Sequence, residues 1–284
     1  MFVLHRRKNM FDVIAEMLSY PFLVPALTVG LVVSLCASLL GVNLALRHFS
    51  MIGDGLSHVG FGALAVAFAL HAAPLTVAIP VCIVTAFLLL RLDGSSSISG
   101  DAAIALISSG ALAVGVMSVS LTTGMNTDVC NYMFGSILAL SETDARISVI
   151  LGICVIILYT VCYLQIFAIT FDENFARATG MHTGFYDSAL AVCTALTVVL
   201  GMRMTGALLI SSLVIFPAMT SMRIFRRFFT VTVTSAVISV VCFILGMILS
   251  FRFSIPTGAG IVCINILLFV IFSIIGTALK AQKK

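Results

Sequence analysis

The chain has 284 residues, of which 61% are hydrophobic and only 9% are charged, whereas soluble domains carry roughly 25% charged residues. This composition predicts an integral membrane protein and excludes a soluble globular domain. The formal net charge of +4 comes largely from arginines and lysines near the ends of apolar runs, which indicates membrane topology rather than a nucleic-acid-binding surface. Because no polar interval reaches the ~50 residues of an independent core, residues 1–284 are predicted to form a single polytopic domain.

The N-terminal segment, residues 1–20, begins with a basic cluster, HRRK, from His5 to Lys8. No apolar stretch with a small-residue cleavage site follows this cluster, so the pattern is not that of a cleaved signal peptide. The apolar residues of the segment fall on one helical face and its acidic residues fall elsewhere. The segment is therefore predicted to be a helix that lies in the membrane interface.

Apolar runs of about 20 residues, the length with which a helix crosses a bilayer, follow along the rest of the chain. They predict nine transmembrane helices, at approximately 22–46, 54–72, 74–91, 102–121, 147–169, 187–202, 204–222, 229–251 and 257–279. The sixth and seventh runs are short and are separated only by the region 201–205, which leaves eight crossings as the alternative. The strands of a membrane barrel alternate in polarity, and because these runs do not, the fold is predicted to be all-α.

Positive charges determine the predicted orientation. With nine crossings, Arg47, Arg91, Arg177, the group at 223–227 and the C-terminal lysines all fall on one side, which is predicted to be the cytoplasm. The HRRK cluster then falls on the other side, contrary to that rule. This conflict leaves open the side of the N-terminus and the choice between eight and nine crossings.

The segment MIGDGLSHVGFG, residues 51–62, places Asp54 and His58 four residues apart at the start of an apolar run. In a helix these positions share a face one turn apart, so that both side chains can reach one point. Ionisable groups at membrane depth often mark ion paths, and a carboxylate with an imidazole suits first-row divalent cations. The alternative is structural, with Asp54 capping the helix N-terminus and His58 buried and hydrogen-bonded. The spacing alone leaves both interpretations open.

A polar segment, TFDENFARATGM at residues 170–181, directly follows the fifth predicted span. Thr170 and Glu173 have the spacing of a capping box, and Gly180 suits the left-handed residue that ends a helix. Residues 170–183 are therefore predicted to contain a short polar helix between two membrane helices. Such a helix is either a solvated loop element or a docking element for a cytoplasmic partner.

Motifs of several enzyme classes are missing from the sequence. A phosphate-binding P-loop needs Gly-Lys followed by Ser or Thr, yet none of the four lysines follows a glycine. The HExxH motif of metalloproteases is missing, and Tyr186-Asp187 has no Gly-x-Gly-Asp partner of the kind that intramembrane aspartyl proteases use. The chain is therefore predicted not to be an enzyme and not to hydrolyse ATP itself.

Several segments, taken together and in order, resemble the membrane permease family of bacterial metal-ion ABC importers, the manganese, zinc and iron uptake type. The most specific is RHFSMIGDGLSHVGFGA at residues 47–63, in which an Arg is followed by Ser-x-x-x-Asp-x-x-x-His and then Gly. The likeness extends from about Val24 to Thr277, and it includes SGDAAIALISSGALAVGVMSVS, YMFGSILALS, TFDENFARATGM, MTGALLISSLVIFPAMTSMRI and SFRFSIPTGAGIV.

The resemblance implies a multi-pass permease in the bacterial cytoplasmic membrane, acting as a homodimer or as a heterodimer with a sister permease. A dimer of cytoplasmic ABC ATPase subunits and an extracytoplasmic metal-binding lipoprotein would be its partners. It also implies that Asp54 and His58 contribute to a metal site in the central pathway. The residues that it assigns to a coupling helix, which seats in the ATPase, are Asp172, Glu173, Ala176, Arg177 and Gly180.

The predicted function is thus the passage of Mn, Zn or Fe by an ABC importer, with the metal as cargo and no permanently bound cofactor. The alternative is a secondary transporter or channel that uses Asp54 and His58 without an ATPase. Two positions depart from the family, since Gly55 stands where a larger residue such as Ala is more frequent and Arg203 stands in a region that is usually uncharged. The Asp and His donors suit the three metals alike, so neither the metal nor the remaining ligands are predicted.

Overall fold

The structure, a computed structural model, describes residues 19–20, 23–47, 49, 51–95, 100–122, 135, 141–207 and 210–281. Within these residues the long elements are all α-helices, as the apolar runs predict. The helices are α1 Leu23–Leu46, α2 Ile52–Ala69, α3 Pro74–Ser95, α4 Gly100–Leu121, α5 Glu142–Val161, α6 Tyr163–Phe171, α7 Glu173–Ala178, α8 Thr183–Thr205, α9 Ile210–Met222, α10 Phe228–Phe253 and α11 Thr257–Ala281. The predicted interfacial helix at 1–20 falls almost wholly outside the described residues.

Seven of the described helices, α1, α2, α4, α5, α8, α10 and α11, are long and apolar enough to cross a membrane. The apolar part of α3 and the whole of α9 are shorter, so the count of nine crossings stays a prediction. The predicted fifth span is divided into α5 and α6 at Cys162. The predicted sixth and seventh spans are separate helices, because Gly206 ends α8 with a left-handed φ of +88° that glycine adopts at no steric cost.

Helix α2 lies inside the bundle, with 72% of its residues buried, whereas only 17% of the apolar window of α4 is buried. Glycines bring these two helices together. A Cβ atom at Gly62 would lie 2.5 Å from the carbonyl oxygen of Ala111 on α4, and one at Gly55 would lie 2.7 Å from Ile104. Small residues permit such close backbone packing in membrane bundles, so α2 is held by α4 along one side.

The turn between α1 and α2 folds back into the bundle. The Phe49 N–H donates to the Leu44 carbonyl at 2.8 Å, and the first turn of α2 meets the first turn of α9, where Gly53 faces Ser211. Val214, later on α9, packs its carbonyl against Gly41 of α1. Gly41, which contacts α9, precedes Arg47 by six residues, or roughly 9 Å along a helix. Because the start of α2 also contacts α9, it lies deeper in the bundle than the end of α1.

Candidate functional site

Asp54 and His58 meet on the first two turns of α2. His58 Nε2 lies 3.6 Å from Asp54 Oδ2. Two donors that bind one tetrahedral ion at 2.0–2.2 Å are about 3.4 Å apart, so the two atoms are already close to the separation that a shared cation requires. The side chain of His58 is 17% exposed and that of Asp54 is 40% exposed, which leaves both accessible to an ion.

The side chain of Asp54 does not cap α2 through a hydrogen bond. The N-cap residue is Met51, which makes no side-chain cap hydrogen bond, and the N–H of Gly55 donates to the Met51 carbonyl. Among the described residues, the partner of the Asp54 carboxylate is His58. A carboxylate in the first turn still stabilises the positive end of the helix, but the geometry leaves its oxygens available.

The pair lies on the face of α2 between the contacts that α2 makes with α4 and with α9. Gly53 contacts α9 at Ser211 and Gly55 contacts α4 at Ile104, and with about 100° between successive helical residues Asp54 projects between these contacts. In the first two turns, Met51, Asp54 and His58 are not fully covered, while the residues between them are buried. Within the described residues, one face of an otherwise buried helix is thus partly exposed.

The described part of the chain supplies two donors here and not a complete coordination shell. No group of three or more His, Cys, Asp or Glu side chains that could hold a metal occurs in the described part of the chain. Four-coordinate sites for first-row ions need further ligands. The remaining ligands must be groups other than the described His, Cys, Asp and Glu side chains. They could approach along the open face of α2.

The polar segment forms α7, but a different residue caps it. The side chain of Asp172 is the N-cap and accepts the Phe175 N–H at 2.9 Å. The capping box predicted for Thr170 and Glu173 is wrong, because Thr170 belongs to α6 and donates its hydroxyl to the Ile166 carbonyl and to Asn43 Oδ1. An ionised carboxylate accepts a backbone N–H more strongly than a hydroxyl does. The left-handed backbone predicted for Gly180 is confirmed, with φ of +86°.

The five predicted coupling residues lie on one short segment and face in different directions. Asp172, Arg177 and Gly180 are exposed and Glu173 is half-buried, whereas Ala176 is buried in an apolar cluster that also contains Ile166 of α6 and Leu190 of α8. Ala176 therefore attaches α7 to the bundle and is not part of its outer surface.

Two exposed aromatic residues near α7 were missed from the sequence. Phe175 is 65% exposed and Phe185, at the start of α8, is 68% exposed. Phe175 could have been identified from the sequence, because it is an aromatic residue in a polar helix that has no apolar face with which it could pack. Phe175 projects from a polar element, as large apolar anchors of protein interfaces do, and Phe185 lies at the nearby end of α8.

Arg47 joins three elements that are distant in sequence. Its Nη2 is 3.3 Å from Glu173 Oε2 on α7, and its Nη1 binds Asp187 Oδ1 on α8. Glu173 Oε1 also accepts from Arg177 Nη2 at 2.7 Å. Arg47 and Arg177 therefore lie at the same end of the bundle, as the predicted orientation requires. The sequence predicted only the topological meaning of Arg47.

The chain is similar to known proteins in both sequence and structure. A profile of the ABC 3 transport family matches residues 19–276. The manganese import system permease protein ScaB of Streptococcus gordonii is 29% identical over 252 residues, covering 89% of this chain and 90% of the relative. The high-affinity zinc uptake system membrane protein ZnuB of Haemophilus influenzae is 31% identical over 255 residues, covering 89% and 97%. A solved structure of PsaBC from Streptococcus pneumoniae in complex with Fab superposes with a TM-score of 0.83 at 29% identity, covering 93% of this chain and 95% of the other.

Proposed function

The chain belongs to the ABC 3 transport family, and on this premise we propose that it is the permease subunit of an ABC importer that passes Mn²⁺, Zn²⁺ or Fe²⁺ across the bacterial cytoplasmic membrane. The observation that carries the proposal is the pair of Asp54 and His58, whose donor atoms lie 3.6 Å apart on the open face of a buried helix. The functions for which the relatives are named, manganese import and zinc uptake, support the choice of cargo. A metal-binding lipoprotein would deliver the cation to the outer end of the bundle.

A second permease completes the site in this proposal. A two-fold axis past the open face of α2 would bring two Asp54–His58 pairs together and supply four donors, enough for a tetrahedral ion. The partner is a second copy of the chain or a sister permease with a similar face. The incomplete shell within the described residues is the reason that a partner is required.

The position of Met51 gives a test of this pairing. Met51 is 53% exposed and lies on the same stripe of α2 as Asp54 and His58. The test uses a chain in which the native cysteines are replaced by serine, because Cys154 and Cys263 are exposed. We expect Met51→Cys in this chain, treated in membranes with a short bifunctional thiol reagent, to form a product of twice the chain's mass, or one that contains the sister permease. An Ile150→Cys chain is the control, because Ile150 is 67% exposed on the distant helix α5. Equal cross-linking of the two chains would contradict a partner at the α2 face.

Separate ATPase subunits would drive transport through α7. Closure of an ATPase pair around ATP would move α7, and the bundle would pass this movement to the site. Phe175 and Phe185, rather than the internally paired Glu173, are the side chains best suited to seat in a groove of the ATPase. Burial of one such ring contributes about 1.5–3 kcal/mol.

We therefore expect Phe175→Ser and Phe185→Ser each to reduce co-purification of the ATPase by about tenfold or more, as 1.4 kcal/mol corresponds to a factor of ten. The measurement is the amount of ATPase retained per permease after affinity purification. Phe253→Ser is the matched control, since Phe253 is 62% exposed at the far end of α10. If Phe175→Ser and Phe185→Ser both retain the ATPase at the wild-type level, this docking surface is ruled out.

Reconstituted transport tests the function as a whole. We expect liposomes that contain the permease and its ATPase, supplied with the loaded binding protein, to accumulate metal only when ATP is present. Accumulation driven by a proton gradient without the ATPase would instead support the secondary transporter. The metal content of the purified binding protein would identify the cargo, because selectivity in these sites depends on geometry as well as ligand type.

A further inference from the structure

The ion pairs of Arg47 with Glu173 and Asp187, called here the Arg47 clasp, connect α7 to the helix that carries Asp54 and His58. We propose that Arg47 is a positioning residue that converts movement of α7 into movement of these two side chains. The inference rests on the proposed function, since it describes how that site is driven. Arg47, which by sequence alone indicates only membrane topology, then has a role in transport.

The clasp attaches the end of α1 to the start of α7 and to α8. Glu173 is the first residue of α7, and Asp187 lies on the first turns of α8, just beyond the turn that follows α7. The side chains of Arg47 and Asp187 are only 17% and 16% exposed, and that of Glu173 is 36% exposed. Removal of one partner from a pair shielded from water, such as Arg47 with Asp187, is costly because a charge is left without its partner, whereas surface pairs contribute little.

A second set of contacts, one helical turn earlier, reinforces the attachment. Asn43 Oδ1 accepts the hydroxyl of Thr170, at the end of α6, at 3.0 Å, and Asn43 Nδ2 donates to the hydroxyl of Tyr159 on α5 at 2.9 Å. Asn43 and Tyr159 are each only 2% exposed. The end of α1 is thus bonded to α6 before α7, to α7 itself and to α8 after it, so these elements should move as one unit.

From Arg47 the chain leads directly into the site. The Arg47 N–H donates to Asn43, Phe49 to Leu44 and Ile52 to Phe49, at 2.8–3.1 Å, and the Arg47 guanidinium lies 5.7 Å from the centre of the Phe49 ring. Hydrogen bonds therefore continue from α1 through the turn to the first residue of α2. Asp54 follows within the same helical turn of α2, and only residues 47–51 separate α1 from α2.

The geometry of the clasp requires an arginine. Its two Nη atoms bind different carboxylates, one at the start of α7 and one on α8. A lysine ammonium is a compact point charge and cannot reproduce this planar fork. A neutral residue would leave Glu173 and Asp187 without their shared cation, so that α7 and α8 would be released from the turn before α2.

The test compares metal transported with ATP hydrolysed in the complete reconstituted complex. We expect Arg47→Gln to lower the ratio of metal accumulated to ATP hydrolysed by about tenfold or more, because truncating one partner of a shielded charge pair is costly. Arg47→Lys should lower it by a smaller factor. ATPase co-purification and ATP hydrolysis should persist in both variants. Arg146→Gln is the control, because Arg146 forms an exposed pair with Glu142 at 2.7 Å away from α7.

A charge exchange separates positioning from simple structural support. Arg47→Asp combined with Asp187→Arg restores one arm of the clasp, and we expect it to recover part of the ratio that Arg47→Asp loses. A wild-type ratio in both Arg47→Gln and Arg47→Lys would overturn the inference. Metal uptake and ATP hydrolysis that fall in equal proportion, with no recovery when Arg47→Asp is combined with Asp187→Arg, would overturn it as well. A wild-type complex with no ATP-driven uptake would instead overturn the proposed function, and the clasp with it.

Discussion

Asp54→Asn and His58→Ala are each expected to lower metal accumulation by at least about 100-fold, because even changes around a metal ligand cost roughly 10–100-fold in affinity. Each variant removes one donor from every copy of the chain, and in a symmetric pair that halves the shell. Asn preserves the shape of Asp and removes its charge, so the effect of Asp54→Asn measures the contribution of the carboxylate charge. The measurement is radiometal uptake by the reconstituted complex.

The two variants should leave the protein assembled. Neither side chain lies in the buried core, and the partner of each, within the described residues, is the other, so membrane insertion and ATPase co-purification should match the wild type. His71→Asn is the control for loss of an imidazole. His71 is exposed beyond the far end of α2 with a φ of +54°, a conformation that Asn tolerates. Wild-type uptake in both site variants would refute the proposed site.

Local periodicity was sufficient to predict the meeting of Asp54 and His58. Residues at i and i+4 of a helix share a face whatever surrounds them, and the apolar run made the helix predictable. The same reasoning predicted the backbone of Gly180, because a helix that ends in polar sequence favours glycine in the left-handed position. Both features depend on neighbours within about one turn.

The Arg47 clasp could not be predicted in this way, because its partners follow by 126 and 140 residues. Helical periodicity carries no information over such distances. The predicted topology placed Arg47 and Arg177 on one side of the membrane, but many arrangements of the helices satisfy that condition. The choice among them depends on packing, in particular on glycines that let specific helices approach closely.

The failed capping box has a similar cause. Thr170 and Glu173 have suitable spacing, yet Asp172 lies closer to the turn and offers a charged acceptor, while the Thr170 hydroxyl is used by the buried Asn43. A tertiary contact therefore decided between two local possibilities. The depth of the site is likewise a tertiary property, since it follows from the contact of Gly53 with Ser211 and not from the length of any apolar run.

Gly41→Ala is expected to destabilise the whole bundle. A Cβ atom at Gly41 would overlap the carbonyl oxygen of Val214 on α9, and a backbone atom cannot rotate away as a side chain can. The two helices must separate, and overpacking of this kind costs about 1–3 kcal/mol. That corresponds to a fall in Tm of roughly 2–12 °C for a chain of this size. Thermal unfolding of the purified permease in detergent measures the change.

The same separation should reach the site, because α9 also carries Ser211 against the first turn of α2. Gly41→Ala should therefore lower stability and uptake together, whereas Asp54→Asn should lower uptake alone. Gly110→Ala and Gly184→Ala are matched controls, since nothing lies within 4 Å of a Cβ at either position and alanine favours a helix by about 0.5–1 kcal/mol. A Tm for Gly41→Ala equal to that of the controls would show that α1 and α9 are not in backbone contact. The depth of Asp54 inferred from that contact would then lose its support.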